Sequence, residues 1–126
     1  MIRVLIVSRD KDSFTELETF LDENHVDISW GTSGGSVLGT ISDKPYDLVI
    51  ADEDLPDMTG LEFALKLVKT SPLTHCTIVS SLSEEEYHDK SEGLGLLMQL
   101  PVNPGREQGE ELYEQLKKLL ILSSRM

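Results

Sequence analysis

A carboxylate stands at the end of an unbroken apolar run in Asp47-Leu48-Val49-Ile50-Ala51-Asp52-Glu53-Asp54-Leu55-Pro56-Asp57-Met58-Thr59-Gly60. Four apolar residues in a row are what a strand buried on both faces of a parallel sheet requires. Open sheets of that kind bind ligands and do their chemistry just past the carboxyl ends of the strands. Asp52 is therefore the residue best placed to act. The other residue types that carry chemistry are less promising. His25, His75 and His88 are scattered, with no metal-ligand spacing. No Gly-x-Gly-x-x-Gly follows a strand, and Gly31 to Gly39 reads as a loose loop. Ser80 lacks a histidine partner in its sequence context, so nucleophilic catalysis has little support and the chain is expected not to be an enzyme. Cys76, the single cysteine, lies in an apolar run and reads as a buried, inert thiol.

Around Asp52 the chain alternates between strand-like and helix-like patterns, the mark of an α/β domain. Strands are expected at Ile2 to Val7, at Val26, Ile28 and Trp30, at Leu48 to Ala51, at Cys76 to Ser80, and at Leu94 to Leu100 before Pro101. Phe14, Leu17, Phe20 and Leu21 stripe a first helix, with Asp10 or Asp12 available as its cap. A short second helix is expected near Val37 to Ser42. Leu61, Ala64, Leu65 and Val68 stripe a third, and Leu112, Leu116, Leu119 and Leu120 a last one. Glu84 to Glu92 is helical by propensity but nearly all polar, with Tyr87 its only large apolar residue, and is expected to be the least stable segment. The outcome is a doubly wound, five-stranded parallel sheet with helices on both faces. Strand order 2-1-3-4-5 would bring Ser8-Arg9-Asp10, Asp52 and Ser80-Ser81 to one crevice, bordered by Leu100.

At 126 residues the chain is one domain, expected over 1–122 with a tail at 123–126. No apolar stretch is long enough to span a membrane, and the start of the chain does not read as a signal peptide. One cysteine fits a reducing, cytoplasmic setting. A net charge of −12 argues against nucleic acid as a direct ligand and suits a basic protein partner.

The order of elements and the pattern Asp–apolar run–Asp–x–x–Leu–Pro–x–x–x–Gly resemble the receiver domains of response regulators over roughly residues 2 to 120. Gly93 and Pro101 also fall where that family has a glycine before strand five and a proline after it. The resemblance implies a flavodoxin-like fold, Asp52 as the phosphoacceptor position, and Mg²⁺ held by an acidic pair after strand one. It also implies a hydroxyl after strand four and a lysine after strand five to bind the phosphoryl group.

Several of those positions depart from the family pattern. Ser8 and Arg9 stand where the acidic pair should be, with Asp10 one residue beyond. Leu100 stands at the lysine position and Leu97 at the aromatic switch position. Ser80 keeps the hydroxyl, and Ser81 replaces a small residue. Arg9 would repel a divalent cation and is expected to pair directly with Asp52. Asp10, Glu53 and Asp54 read as a helix cap and solvated loop residues. The chain is thus expected to be a stand-alone, atypical or pseudo-receiver with Mg²⁺-dependent phosphorylation impaired or lost and no cofactor. It would act on a protein partner, either a histidine kinase or a downstream signalling protein, with a homodimer left open. Two alternatives remain: a working phosphoacceptor with an unusual Mg²⁺ site, and a flavodoxin-like small-molecule module.

Overall fold

The computed structural model describes residues 1–124; Arg125 and Met126, the last residues of the expected tail, lie outside them. Five parallel strands form one sheet: β1 (Arg3–Val7), β2 (Asp27–Gly31), β3 (Leu48–Ala51), β4 (His75–Val79) and β5 (Gln99–Leu100). Their order is 2-1-3-4-5, as expected. The helices between them are α1 (Thr15–Glu23), α2 (Gly34–Leu38), α3 (Gly60–Thr70), α4 (Glu84–Ser91) and α5 (Arg106–Ser124). Short 3-10 turns at Lys11–Phe14 and Ile41–Asp43 flank α1 and α2.

Alternate side chains of a strand point to opposite faces, and here each face has its own core. Val4, Ile6, Leu48, Ile50, Val79 and Leu100 pack with Leu17 and Phe20 of α1 and Leu112 and Leu116 of α5. Leu5, Val7, Val49, Ala51, Cys76 and Ile78 face Val37 of α2, Phe63, Ala64 and Leu67 of α3, and Tyr87 of α4. β3 is buried along its whole length. It ends where the sequence reading places it, because Asp52 cannot continue an apolar interior.

Other elements differ from expectation. Asp10 and Asp12 do not cap the first helix: the chain enters through the 3-10 turn, whose N-cap Asp10 makes no side-chain capping bond, and α1 starts at Thr15. α2 begins earlier, at Gly34, because the Ser33 hydroxyl accepts the Ser36 N–H and caps it. Thr59 and Ser83 cap α3 and α4 in the same way. β5 is shorter than its apolar sequence suggests. Gly93 and Gly95 take left-handed backbone conformations (φ 85° and 66°). Beyond them the Leu97 N–H donates to the Cys76 carbonyl, but Thr77 Oγ1 bonds both the N–H and the carbonyl of Met98, so the regular ladder with β4 is confined to Gln99 and Leu100. α5 runs from Arg106 through Ser124.

Gly60 lets α3 start directly against the sheet. A Cβ there would meet the Asp52 carbonyl oxygen at 2.5 Å and Ile78 Cγ2 at 2.6 Å. The substitution Gly60→Ala is therefore expected to lower the denaturant midpoint by an amount equivalent to about 1–3 kcal/mol. Chemical denaturation followed by circular dichroism checks it. α4 has Tyr87 as its only buried residue, so its amides should exchange with solvent well before those of Leu48–Ala51. Equal protection of the two segments would contradict that expectation.

Candidate functional site

The strand register decides which side chains meet at the carboxyl rim of the sheet. Val7 pairs with Ala51, and Ala51 with Ile78. Ser8 and Asp52 therefore leave β1 and β3 side by side. Ser8 is 1% exposed, and its hydroxyl donates to Asp52 Oδ2 at 2.7 Å. Asp52 Oδ1 accepts the Glu53 backbone N–H at 2.8 Å. Ser8 Oγ also accepts the Asp10 N–H at 2.9 Å, which fixes the turn after β1. Asp52 itself is only half-buried, and both of its oxygens have a partner within the chain.

Arg9 does not form the expected ion pair. It is exposed, and among the described residues the ion pairs within 4.0 Å join Arg3 to Asp27 and Arg106 to Glu23 and Glu110. Successive residues of an extended chain point to opposite sides, so with Ser8 turned to Asp52 the next side chain is sent to solvent. There the guanidinium keeps its hydration, which an exposed ion pair repays poorly.

The crevice brings together some of the other expected residues and not others. Ser80 is buried at the end of β4, but its Oγ accepts the Leu82 N–H at 3.1 Å and so braces its own turn. Asp10 is exposed, and the Ser13 hydroxyl donates to its backbone carbonyl. Leu97 is half-buried against the α1–α5 core. Leu100 is 0% exposed and belongs to that core, so its position offers apolar surface.

Three contacts escape a reading of the sequence. Glu53, expected to be solvated, binds across the rim: Oε1 accepts the Ser81 hydroxyl at 2.6 Å and Oε2 the Ser81 N–H at 3.1 Å. Gln99 Nε2 donates to the carbonyls of Ser80 and Leu82 at 3.2 and 2.8 Å. Asp57 accepts the N–H groups of Gly35 and Gly34 at 2.9 and 3.0 Å, and these bonds hold its carboxyl below the usual range. Because a folded-state pKa is lowered, this contribution to stability is present at neutral pH and lost as pH falls through the depressed value. Ser33 before Gly34 and Gly35 marks a helix start, but nothing in the sequence joins it to Asp57, 23 and 22 residues from the two glycines; nothing local marked Glu53 or Gln99.

The chain belongs to the response regulator receiver domain family, which it matches over residues 4–101. This is a signalling family of two-component systems, and the fold observed here is its flavodoxin-like fold. The autoinducer 2 sensor kinase/phosphatase LuxQ of Vibrio vulnificus is 23% identical over 112 residues, which is 71% of this chain and 13% of LuxQ. The response regulator ArlR of Staphylococcus epidermidis is 34% identical over 96 residues, 75% of this chain and 42% of ArlR. The chain thus spans about one eighth of the first of these relatives and under half of the second. Among solved structures, the receiver domain of the Francisella response regulator 1452 superposes with a TM-score of 0.81 at 23% identity, covering 94% of this chain and 99% of that one. The chemotaxis response regulator CheY4 of Vibrio cholerae gives 0.79 at 18% identity, covering 92% and 98%. Similarity at those identities is evidence of the fold.

Two outcomes follow from the geometry. Ser8→Ala removes the donor to a charged acceptor and should destabilise the domain by about 1–2 kcal/mol, measured as a shift in denaturant midpoint. Burial pushes the Cys76 thiol up to about 12. The thiol stays protonated in the folded state, and any stability tied to it is lost only as pH rises from its unfolded value toward 12. A thiol reagent at pH 8 should leave folded protein almost unlabelled and label it fully in denaturant.

Proposed function

We propose that this receiver domain signals by binding a protein partner, with Mg²⁺-dependent phosphorylation of Asp52 impaired or lost. The observation that carries the reading is the state of Asp52, whose two oxygens are held by the Ser8 hydroxyl and the Glu53 N–H. The residues around it do not fit a divalent cation. A hydroxyl and an exposed guanidinium stand where the family's acidic pair would be. Among the described residues, no three His, Cys, Asp or Glu side chains are grouped so that they could hold a metal ion. A phosphoryl group would also need a cation where Leu100 is buried in the core.

The partner surface is the groove where α4, β5 and α5 meet. It has a volume of about 570 Å³, with half-buried Leu96 and Met98 among its lining residues and the exposed carboxylates of Glu84, Glu92 and Glu111 at its edges. Its lining includes no lysine or arginine. Apolar surface with an acidic border complements a basic, partly apolar protein segment. A histidine kinase or a downstream signalling protein would supply it, in keeping with LuxQ, a sensor kinase/phosphatase, among the relatives. No helix among the described residues is long and apolar enough to cross a membrane.

Incubation with acetyl phosphate and Mg²⁺ should leave the intact mass unchanged. A phosphoryl adduct that disappears in Asp52→Asn would overturn the reading. The double substitution Ser8→Asp with Arg9→Asp restores the acidic pair. It should give a saturable Mg²⁺ titration around residue 52 that the parent protein lacks, followed by chemical-shift change.

A further inference from the structure

The two edges of the sheet differ. β5 offers two ladder residues, whereas β2 is five residues long and pairs with β1 alone. At the start of β2 the Asp27 N–H donates to the Ile2 carbonyl, and at its end the Gly31 carbonyl accepts the Ser8 N–H. A strand turns the main-chain groups of successive residues to opposite sides. Asp27, Ser29 and Gly31 therefore serve β1, and Ile28 and Trp30 turn their N–H and C=O groups outward. Among the described residues no hydrogen bond reaches the main chain of those two from outside the sheet. Unpaired groups in such a row are what an extended segment of another chain pairs with.

The side chains around this edge are sorted by charge. Between α1 and β2 runs a groove of about 510 Å³, whose lining includes Glu18, Asp22, Glu23, Asp27 and Ile28 and no lysine or arginine. Asp27 is paired with Arg3 at 3.6 Å and Glu23 with Arg106 at 2.8 Å. Glu18 accepts the Trp30 indole N–H at 3.2 Å, a neutral donor that leaves its charge in place. Asp22 is exposed, and among the described residues it has no ion-pair partner. Lys11 sits over the Trp30 ring, outside the groove lining. On the opposite face Arg3, Lys44, Ser29 and Tyr46 line a smaller hollow of about 250 Å³, with Asp27 its one carboxylate. A basic side chain is thus attracted on the α1 face and opposed on the other. A second copy of this chain fits badly. Antiparallel pairing of two β2 strands would press two acidic α1 faces together, in a chain whose net charge is −12.

We propose that the free edge of β2 is a strand-addition site, and that it takes an extended protein segment in which basic residues alternate with uncharged, β-branched ones. It is a second protein surface, at the opposite end of the sheet from the α4–β5–α5 groove and independent of it. Main-chain bonds to Ile28 and Trp30 hold the segment in place. The side-chain period of two sets each basic residue over the α1 groove and each uncharged one on the side of Arg3 and Lys44. Asp52 takes no part, so the site is available whatever the chemistry of that carboxylate.

Trp30 is the single tryptophan, half-buried in this edge with its ring edge-on to Phe14, so its fluorescence reports occupancy. The probe is an end-capped hexapeptide that alternates arginine and threonine, added to the full chain. In the free protein, amide exchange by NMR should be fast at Ile28 and Trp30 and slow at Ser29 and Gly31. Saturating peptide should change the Trp30 emission and slow exchange at Ile28 and Trp30 by about tenfold. A peptide of the same composition, with its arginines first and its threonines last, should bind more weakly and give no such slowing. The alternating peptide N-methylated along its backbone should lose the slowing as well. Asp22→Lys, at an exposed position, should weaken binding of the alternating peptide roughly tenfold. Failure of the peptide to bind, or binding that leaves Ile28 and Trp30 exchange unchanged, would overturn strand addition. Equal binding of the two arginine peptides, or no effect of Asp22→Lys, would overturn the alternating basic segment as the occupant. Slow exchange at Ile28 and Trp30 in a free protein that sediments as a dimer would assign the edge to a second copy instead.

Discussion

The bond between Ser8 and Asp52 sets the terms for the whole rim. Burial of β3 on both faces delivers a carboxylate to the edge of a low-dielectric interior, where its charged oxygens need donors. The chain supplies them from its own first strand and from the next peptide. With that need met internally, the neighbouring positions are free to serve packing. Ser80 braces a turn, Leu100 joins the core, and Arg9 stays in water. Ser8, Ser80 and Leu100 thus each have their partners within the fold.

The two halves of the domain are held with unequal strength. On one side, α5 is long and lies against α1 through an edge-on contact of Phe20 with Tyr113, with Arg106 over the Phe20 ring and bound to Glu23. On the other side, α4 has eight residues and one buried ring. Burial also raises the Tyr87 phenol pKa, so the ring stays neutral across the physiological range.

How much was legible from the sequence depends on the range of the interactions involved. β3 was readable residue by residue, because four apolar residues bounded by Asp47 and Asp52 admit one interpretation. The alternation of elements pointed to a parallel α/β sheet, and its order, 2-1-3-4-5, was the doubly wound one that the resemblance to receiver domains implied. β5 was over-read: Leu94, Leu96 and Leu97 look like strand residues, but Gly93 and Gly95 have left-handed backbones, and although the Leu97 N–H donates to the Cys76 carbonyl, the Thr77 hydroxyl takes the main-chain groups of Met98, so the regular ladder begins only at Gln99. At the site, the identity of Asp52 was legible and its partner was not. Ser8 and Arg9 are adjacent in sequence, and only the register of β1 against β3 decides which of them faces the carboxylate. Glu53 with Ser81 and Gln99 with Ser80 join residues 28 and 19 apart. Contacts of that kind leave no periodicity to read.

The brevity of β5 bears on how any molecule could associate with this end of the sheet. An edge strand normally presents a row of unpaired main-chain groups, which another chain can extend and which invites edge-to-edge aggregation. With two residues in register and Pro101 immediately after them, this edge is too short to template a neighbouring strand. At this edge the sheet is protected from extension by a strand of another copy. Whatever docks beside β5 must be recognised by side chains and charge, where single substitutions can change which partner is chosen.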